Sequence, residues 1–129
     1  MAIRILIVED DESTRELIRE YLAQDSRLEV VAEVEDGKEA VNLAKQYHPD
    51  LVLMDLMLKG MDGLKATKLI KKACPKSEII ILTNLEFEDM RARYPVWAFL
   101  FKREIPKRLL AVISALIRSK GDQSQSRNV

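Results

Sequence analysis

Two hydrophobic rhythms alternate along this chain. Five short runs, Ile3–Val8, Leu28–Val34, Leu51–Asp55, Glu78–Thr83 and residues 96–102, are dominated by β-branched and other apolar residues. Near-continuous apolar runs of this length predict strands, and the most unbroken of them predict strands buried on both faces of a parallel sheet. Between the runs the spacing changes to that of amphipathic helices. Leu17, Ile18, Tyr21 and Leu22 predict a first helix, Ala40, Val41, Ala44 and Tyr47 a second, and Ala66, Leu69, Ile70 and Ala73 a third. Phe87, Met90 and Tyr94 predict a short fourth helix cut off by Pro95. A last helix opens at Pro106, a good first-turn residue, and carries Leu109, Leu110, Val112, Ile113, Leu116 and Ile117. Asp36-Gly37, His48-Pro49 and Pro75 punctuate the chain where turns belong.

Strand and helix thus alternate five times with short links. Each parallel crossover needs a covering helix, so the pattern predicts an α/β domain with a parallel sheet and helices on both faces. Periodicity does not set the strand order, but the doubly wound order 2-1-3-4-5 fits five strands and sets the ends of the first and third side by side. Residues 1–119 are read as one domain. The polar stretch 120–129 is expected to be a disordered tail.

Composition adds mainly exclusions. The chain has 129 residues, enough for one domain with a real core. Its 21 Lys and Arg balance its 21 Asp and Glu, so net charge makes no case for nucleic acid or an acidic membrane. Cys74 is the single cysteine and has no internal disulfide partner, which suggests a reducing compartment. The first apolar run is too short to span a bilayer, and carboxylates end it. A soluble, cytoplasmic domain is expected.

The candidate chemistry lies at the ends of the predicted strands. Glu9 and Asp10 end the first, Asp55 the third, Thr83 the fourth and Lys102 the fifth. Open parallel sheets gather their reactive groups at strand carboxyl ends. Each residue alone has an ordinary explanation: helix-start acids, a turn aspartate, a capping threonine, a solvated lysine. Four such explanations falling together at four strand ends is a poor coincidence, and a shared site explains it better. Three adjacent carboxylates repel, and a hard divalent cation with oxygen ligands, Mg²⁺ above all, would relieve them. A carboxylate beside Mg²⁺ can attack a phosphoryl group and hold it as an acyl phosphate, which Thr83 and Lys102 could bind.

The stretches Ile5-Leu6-Ile7-Val8-Glu9-Asp10-Asp11, Asp50-Leu51-Val52-Leu53-Met54-Asp55, Met61-Asp62-Gly63, Ile81-Leu82-Thr83 and Phe99-Leu100-Phe101-Lys102 resemble the receiver domain of two-component response regulators, in the right order over residues 3–119. The resemblance implies a flavodoxin-like fold and a part in phosphorelay signal transduction. Asp55 would be the phosphoacceptor for a partner histidine kinase or phosphotransfer protein. Glu9, Asp10, Asp55 and the backbone carbonyl of Met57 would hold Mg²⁺. Thr83 and Lys102 would bind the phosphoryl group, and Thr83 with Phe99 would form the switch read by a downstream effector protein. It implies no enzyme beyond self-phosphorylation and slow dephosphorylation, and no direct contact of this chain with nucleic acid or membrane.

The sequence departs from the family's pattern at Lys59 and Arg103, where proline is usual, at Asn84, where a small residue is usual, and in its shortened fourth helix. These changes touch the switch surface and spare the phosphorylation residues. They favour an alternative, a receiver-like adaptor working through protein contacts without phosphorylation. A flavin-binding protein of the same fold is a poorer fit, because Glu9-Asp10-Asp11 would repel a phosphate. Met57, two residues past the acceptor, is expected to shield an acyl phosphate from water. His48 is read as a surface residue, Cys74 as a packing residue, and Trp97 with Arg91, Arg93 and Arg103 as a solvated face or a partner surface.

Overall fold

The computed structural model describes residues 2–58, 61–84 and 96–127, with side chains as far as Gly121. Strands β1 (Ile3–Val8), β2 (Leu28–Val34), β3 (Leu51–Asp55), β4 (Glu78–Thr83) and β5 (Ala98–Phe101) form one sheet in the order β2-β1-β3-β4-β5, with every neighbouring pair parallel. Helices α1 (Glu12–Leu22), α2 (Gly37–Tyr47), α3 (Gly63–Ala73) and α4 (Ile105–Arg127) cover its two faces. The short fourth helix expected around Phe87, Met90 and Tyr94, like Lys59, Arg91 and Arg93, lies outside the described residues.

Side-chain alternation along the strands divides the core. Ile5, Ile7, Leu51, Leu53, Ile80, Leu82 and Leu100 face α1 and α4, where Ile18, Leu22, Leu109, Ile113 and Leu116 complete one cluster. Leu6, Val8, Val52, Met54, Ile79 and Ile81 face α2 and α3, where Ala40, Val41, Ala44, Ala66 and Ile70 complete the other. Every residue of β3 is buried, which is why this central strand carries no polar alternation before Asp55. Cys74 packs in the second cluster, with its thiol donating to the Ala44 carbonyl at 3.4 Å. His48 is exposed and ends α2 in the left-handed conformation, at φ 46°. Their placement, one exposed and one packed, matches the sequence expectation.

Three aspartates do the helix capping. Asp11, Asp36 and Asp62 accept hydrogen bonds from the first-turn backbone amides of α1, α2 and α3, satisfying donors that a helix start leaves open.

Two boundaries differ from expectation. The fifth strand is shorter than residues 96–102, and Lys102 opens a 3₁₀ turn, Lys102–Glu104. The Glu104 carboxylate accepts from the Phe101 amide at 2.9 Å and starts that turn, while the Lys102 ammonium turns inward. At the other end α4 continues to Arg127, past the start of the expected tail at Lys120. Residues after Lys120 include no proline, and Gly121 costs a helix only about 1 kcal/mol, so polarity alone does not end it. No helix among the described residues is long and apolar enough to cross a membrane.

Candidate functional site

Sheet register brings the four strand ends together. Val8 pairs with Met54, so Glu9 and Asp55 leave the sheet side by side. Asp55 pairs with Leu82, which places Thr83 one step beyond it. Thr83 pairs with Phe101, which places Lys102 one step further. A one-residue slip in any pairing would turn one of these side chains to the opposite face.

Glu9, Asp55 and Thr83 are buried, at 1%, 4% and 0% exposed, and Asp10 is half-buried. Carboxylate oxygens of Glu9, Asp10 and Asp55 all lie within 4.8 Å of one another. The Lys102 ammonium bridges two of them, 2.6 Å from Glu9 Oε1 and 3.3 Å from Asp55 Oδ2. The other oxygen of Asp55, Oδ1, accepts from the Met57 amide at 3.1 Å, and Glu9 Oε2 accepts from the Asp11 amide at 3.1 Å. The adjacent acids of the sequence therefore separate by role: Glu9 and Asp10 enter the site, while Asp11 turns away to cap α1.

Burial pushes the Glu9 carboxyl up to about 7, against the opposing pull of the Lys102 ammonium, and the charge of Asp55 pushes it the same way. Burial works against the Lys102 charge too, but Glu9 and Asp55 together hold its pKa above the ordinary lysine value. Glu9 Oε1 is buried with no aligned hydrogen-bond donor, its close contact being the ion pair with Lys102. Among the described residues, one ammonium pairs with two members of a cluster of three carboxylates. An all-oxygen donor set with surplus negative charge and an under-satisfied buried oxygen suits a hard divalent cation.

The loop after β3 closes against the site. Gly63 donates to the Leu56 carbonyl at 3.0 Å. A Cβ at Gly63 would lie 2.2 Å from the Asp55 carbonyl oxygen and 2.7 Å from Leu56 Cα, so only glycine fits there. Gly37, at the start of α2, packs against Met61 of the same loop, where a Cβ would meet the Met61 carbonyl at 2.9 Å. Met57 is 64% exposed beside Asp55. The sequence shows Met61-Asp62-Gly63 after this strand but not that Gly63 holds the loop against β3; the Asp62-Gly63 pair at a helix start was the available signal.

Thr83 and Phe99 fall on the same face of β4 and β5, Phe99 packing half-buried on the second cluster. Asn84 is exposed immediately after Thr83. Arg103, where the family has proline, lies over the Phe101 ring at 4.1 Å. Trp97 is partly buried against the first cluster.

A family model for the response regulator receiver domain matches residues 5–114. The chain belongs to this family. The response regulator protein VraR of Staphylococcus aureus is 45% identical over 84 residues, which are 65% of this chain and 40% of VraR. The chain spans about two fifths of the length of the curated relatives it matches. Among solved structures, a LuxR-family two-component response regulator from Aurantimonas sp. is 29% identical with a TM-score of 0.84, over 92% of this chain and 87% of that one. The response regulator domain of Thermotoga maritima CheB is 25% identical with a TM-score of 0.77, over 89% of this chain and 96% of that one. The sheet order and flavodoxin-like architecture expected from the sequence are those of this receiver.

Proposed function

We propose that this receiver accepts a phosphoryl group on Asp55 from a phosphohistidine partner and passes the signal to an effector protein. The observation that carries this is the clustering of Glu9, Asp10 and Asp55 at the carboxyl end of the sheet, with the Lys102 ammonium paired to Glu9 and Asp55. Glu9, Asp10 and Asp55, with the carbonyl of Met57, would hold Mg²⁺, which when bound neutralises crowded carboxylates and phosphoryl oxygens. The chain's own groups do the rest. An Asp55 carboxylate oxygen attacks phosphorus, and the bond to the donor's leaving nitrogen or oxygen breaks, taking its electron pair with it. Lys102, already within 3.3 Å of Oδ2, stays beside the new acyl phosphate and offsets its charge. The Thr83 hydroxyl, one step past the partner of Asp55 in the sheet, would donate to a phosphoryl oxygen.

Output would follow from a two-state equilibrium biased by that hydrogen bond, with Phe99 on the same face repacking as Thr83 moves. Turnover would be limited to self-phosphorylation and slow hydrolysis, so the domain is a signalling device rather than an enzyme, working in the cytoplasm. An acyl phosphate is the decisive product. Phosphoramidate-labelled protein should lose its label to hydroxylamine at neutral pH, in the wild type and with Mg²⁺ present. A label that resists hydroxylamine would place the phosphoryl group on another residue type.

A further inference from the structure

We infer that Arg15 is a positioning residue for the acidic site, holding the Glu9–Asp10 segment from behind through the Glu9 backbone carbonyl. The inference rests on the reading of Glu9, Asp10 and Asp55 as a divalent-cation site. The Arg15 side chain is only 11% exposed, unusual for a helix-surface arginine. Its Nη1 donates to the Glu9 carbonyl oxygen at 2.7 Å. The same guanidinium pairs with Glu12 in the first turn of α1, with Glu33 of β2 at 3.6 Å and with Glu35 of the β2–α2 loop at 3.3 Å. One planar fork therefore ties the end of β1 to three neighbouring elements, a geometry that suits arginine and its several fixed donors.

The consequence follows from the peptide's rigidity. Fixing the Glu9 carbonyl orients the Glu9–Asp10 peptide plane, which places both Cα atoms and leaves one backbone dihedral to set the direction of each side chain. The backbone that carries two of the three site carboxylates is thus constrained from outside the site. Arg19 provides an internal control, since it pairs with Glu12 at 3.0 Å and with Glu33 but makes no contact with Glu9 among those described. Removing Arg19 takes the same charge from the same acidic network and leaves the clamp in place.

Cation binding by the wild type and by Arg15→Gln, Arg15→Lys and Arg19→Gln is measured by Mn²⁺ titration with spin-resonance detection of the free ion, alongside urea unfolding of each. A charge-assisted hydrogen bond lost from a preorganised site corresponds to roughly a tenfold weakening. Arg15→Gln should bind Mn²⁺ about tenfold more weakly, and Arg19→Gln within about twofold of wild type, on the same scale. Arg15→Lys keeps the charge and a donor for the Glu9 carbonyl but not the fork, and should fall between Arg15→Gln and wild type. A purely structural arginine would lower the unfolding midpoint and leave Mn²⁺ affinity unchanged in the folded protein, which would overturn the inference. Equal losses in Arg15→Gln and Arg19→Gln would overturn it too, by assigning the effect to the acidic network. Absence of Mn²⁺ binding in the wild type would instead remove the cation site itself, and the clamp with it.

Discussion

At the scale of single residues, Glu9 is the strained member of the site. With a folded pKa near 7 against 4.5 for the free side chain, the folded domain retains a proton that the unfolded chain has lost between those values. Stability of the cation-free domain should therefore fall as pH rises from about 4.5 to about 7, by an amount on the order of 2 kcal/mol. Asp11 and Asp25 are both lowered to about 2 by their hydrogen bonds, so their stabilisation is lost only at more acidic pH, outside this window. Urea unfolding in chelator at pH 5 and pH 7 checks this, and Glu9→Gln should remove the fall. Added Mg²⁺ should restore stability at pH 7, because it binds the ionised carboxylate. Met57 acts on a different quantity. Its amide donates to Asp55 and its apolar side chain is exposed; if that side chain shields a phosphoryl group on Asp55, Met57→Asn should shorten the phosphoryl lifetime several-fold, and an unchanged dephosphorylation rate would remove that role.

At the scale of elements, β3 and the loop that follows it decide the site. The strand was legible because burial on both faces demands an unbroken apolar run, and its sudden end on Asp55 marks the edge of the sheet. Glu9, Thr83 and Lys102 were legible for the same reason. Arg15 was not, because its spacing from Glu12 reads as an ordinary solvated helix pair, and only the fold brings β2 beneath it. The extent of β5 was misread at Lys102, since a lysine pulled inward by two carboxylates leaves no trace in a hydrophobic pattern. Gly63 supplies the sharpest test at this scale. Gly63→Ala drives a methyl group into the Asp55–Leu56 backbone and should cost about 3 kcal/mol or more in urea unfolding, beyond ordinary overpacking. Gly121→Ala, with open space around it, should cost nothing and acts as the control.

At the scale of the whole molecule, architecture and chemistry come from one arrangement. A sheet in the order 2-1-3-4-5 sets β1 beside β3, and every functional side chain then follows from where a parallel strand stops. A net charge of zero conceals this, since acidic residues predominate before Asp50 and basic ones after it. The fold gathers Glu9 and Asp10 from the acidic part and Asp55 and Lys102 from the basic part into one crevice. The departures at Asn84 and Arg103 sit beside this crevice and leave its charged groups in place. The proposed phosphorylation chemistry can therefore be tested apart from any output surface, and tested first. The most direct measurement is the intact mass of wild type and Asp55→Asn after incubation with acetyl phosphate and Mg²⁺. A single phosphoryl adduct on the wild type, absent from Asp55→Asn, is the expected result. A wild type that is stabilised by Mg²⁺ yet gains no adduct, or an adduct that persists in Asp55→Asn, would contradict the account, the former pointing to an adaptor that works without phosphorylation.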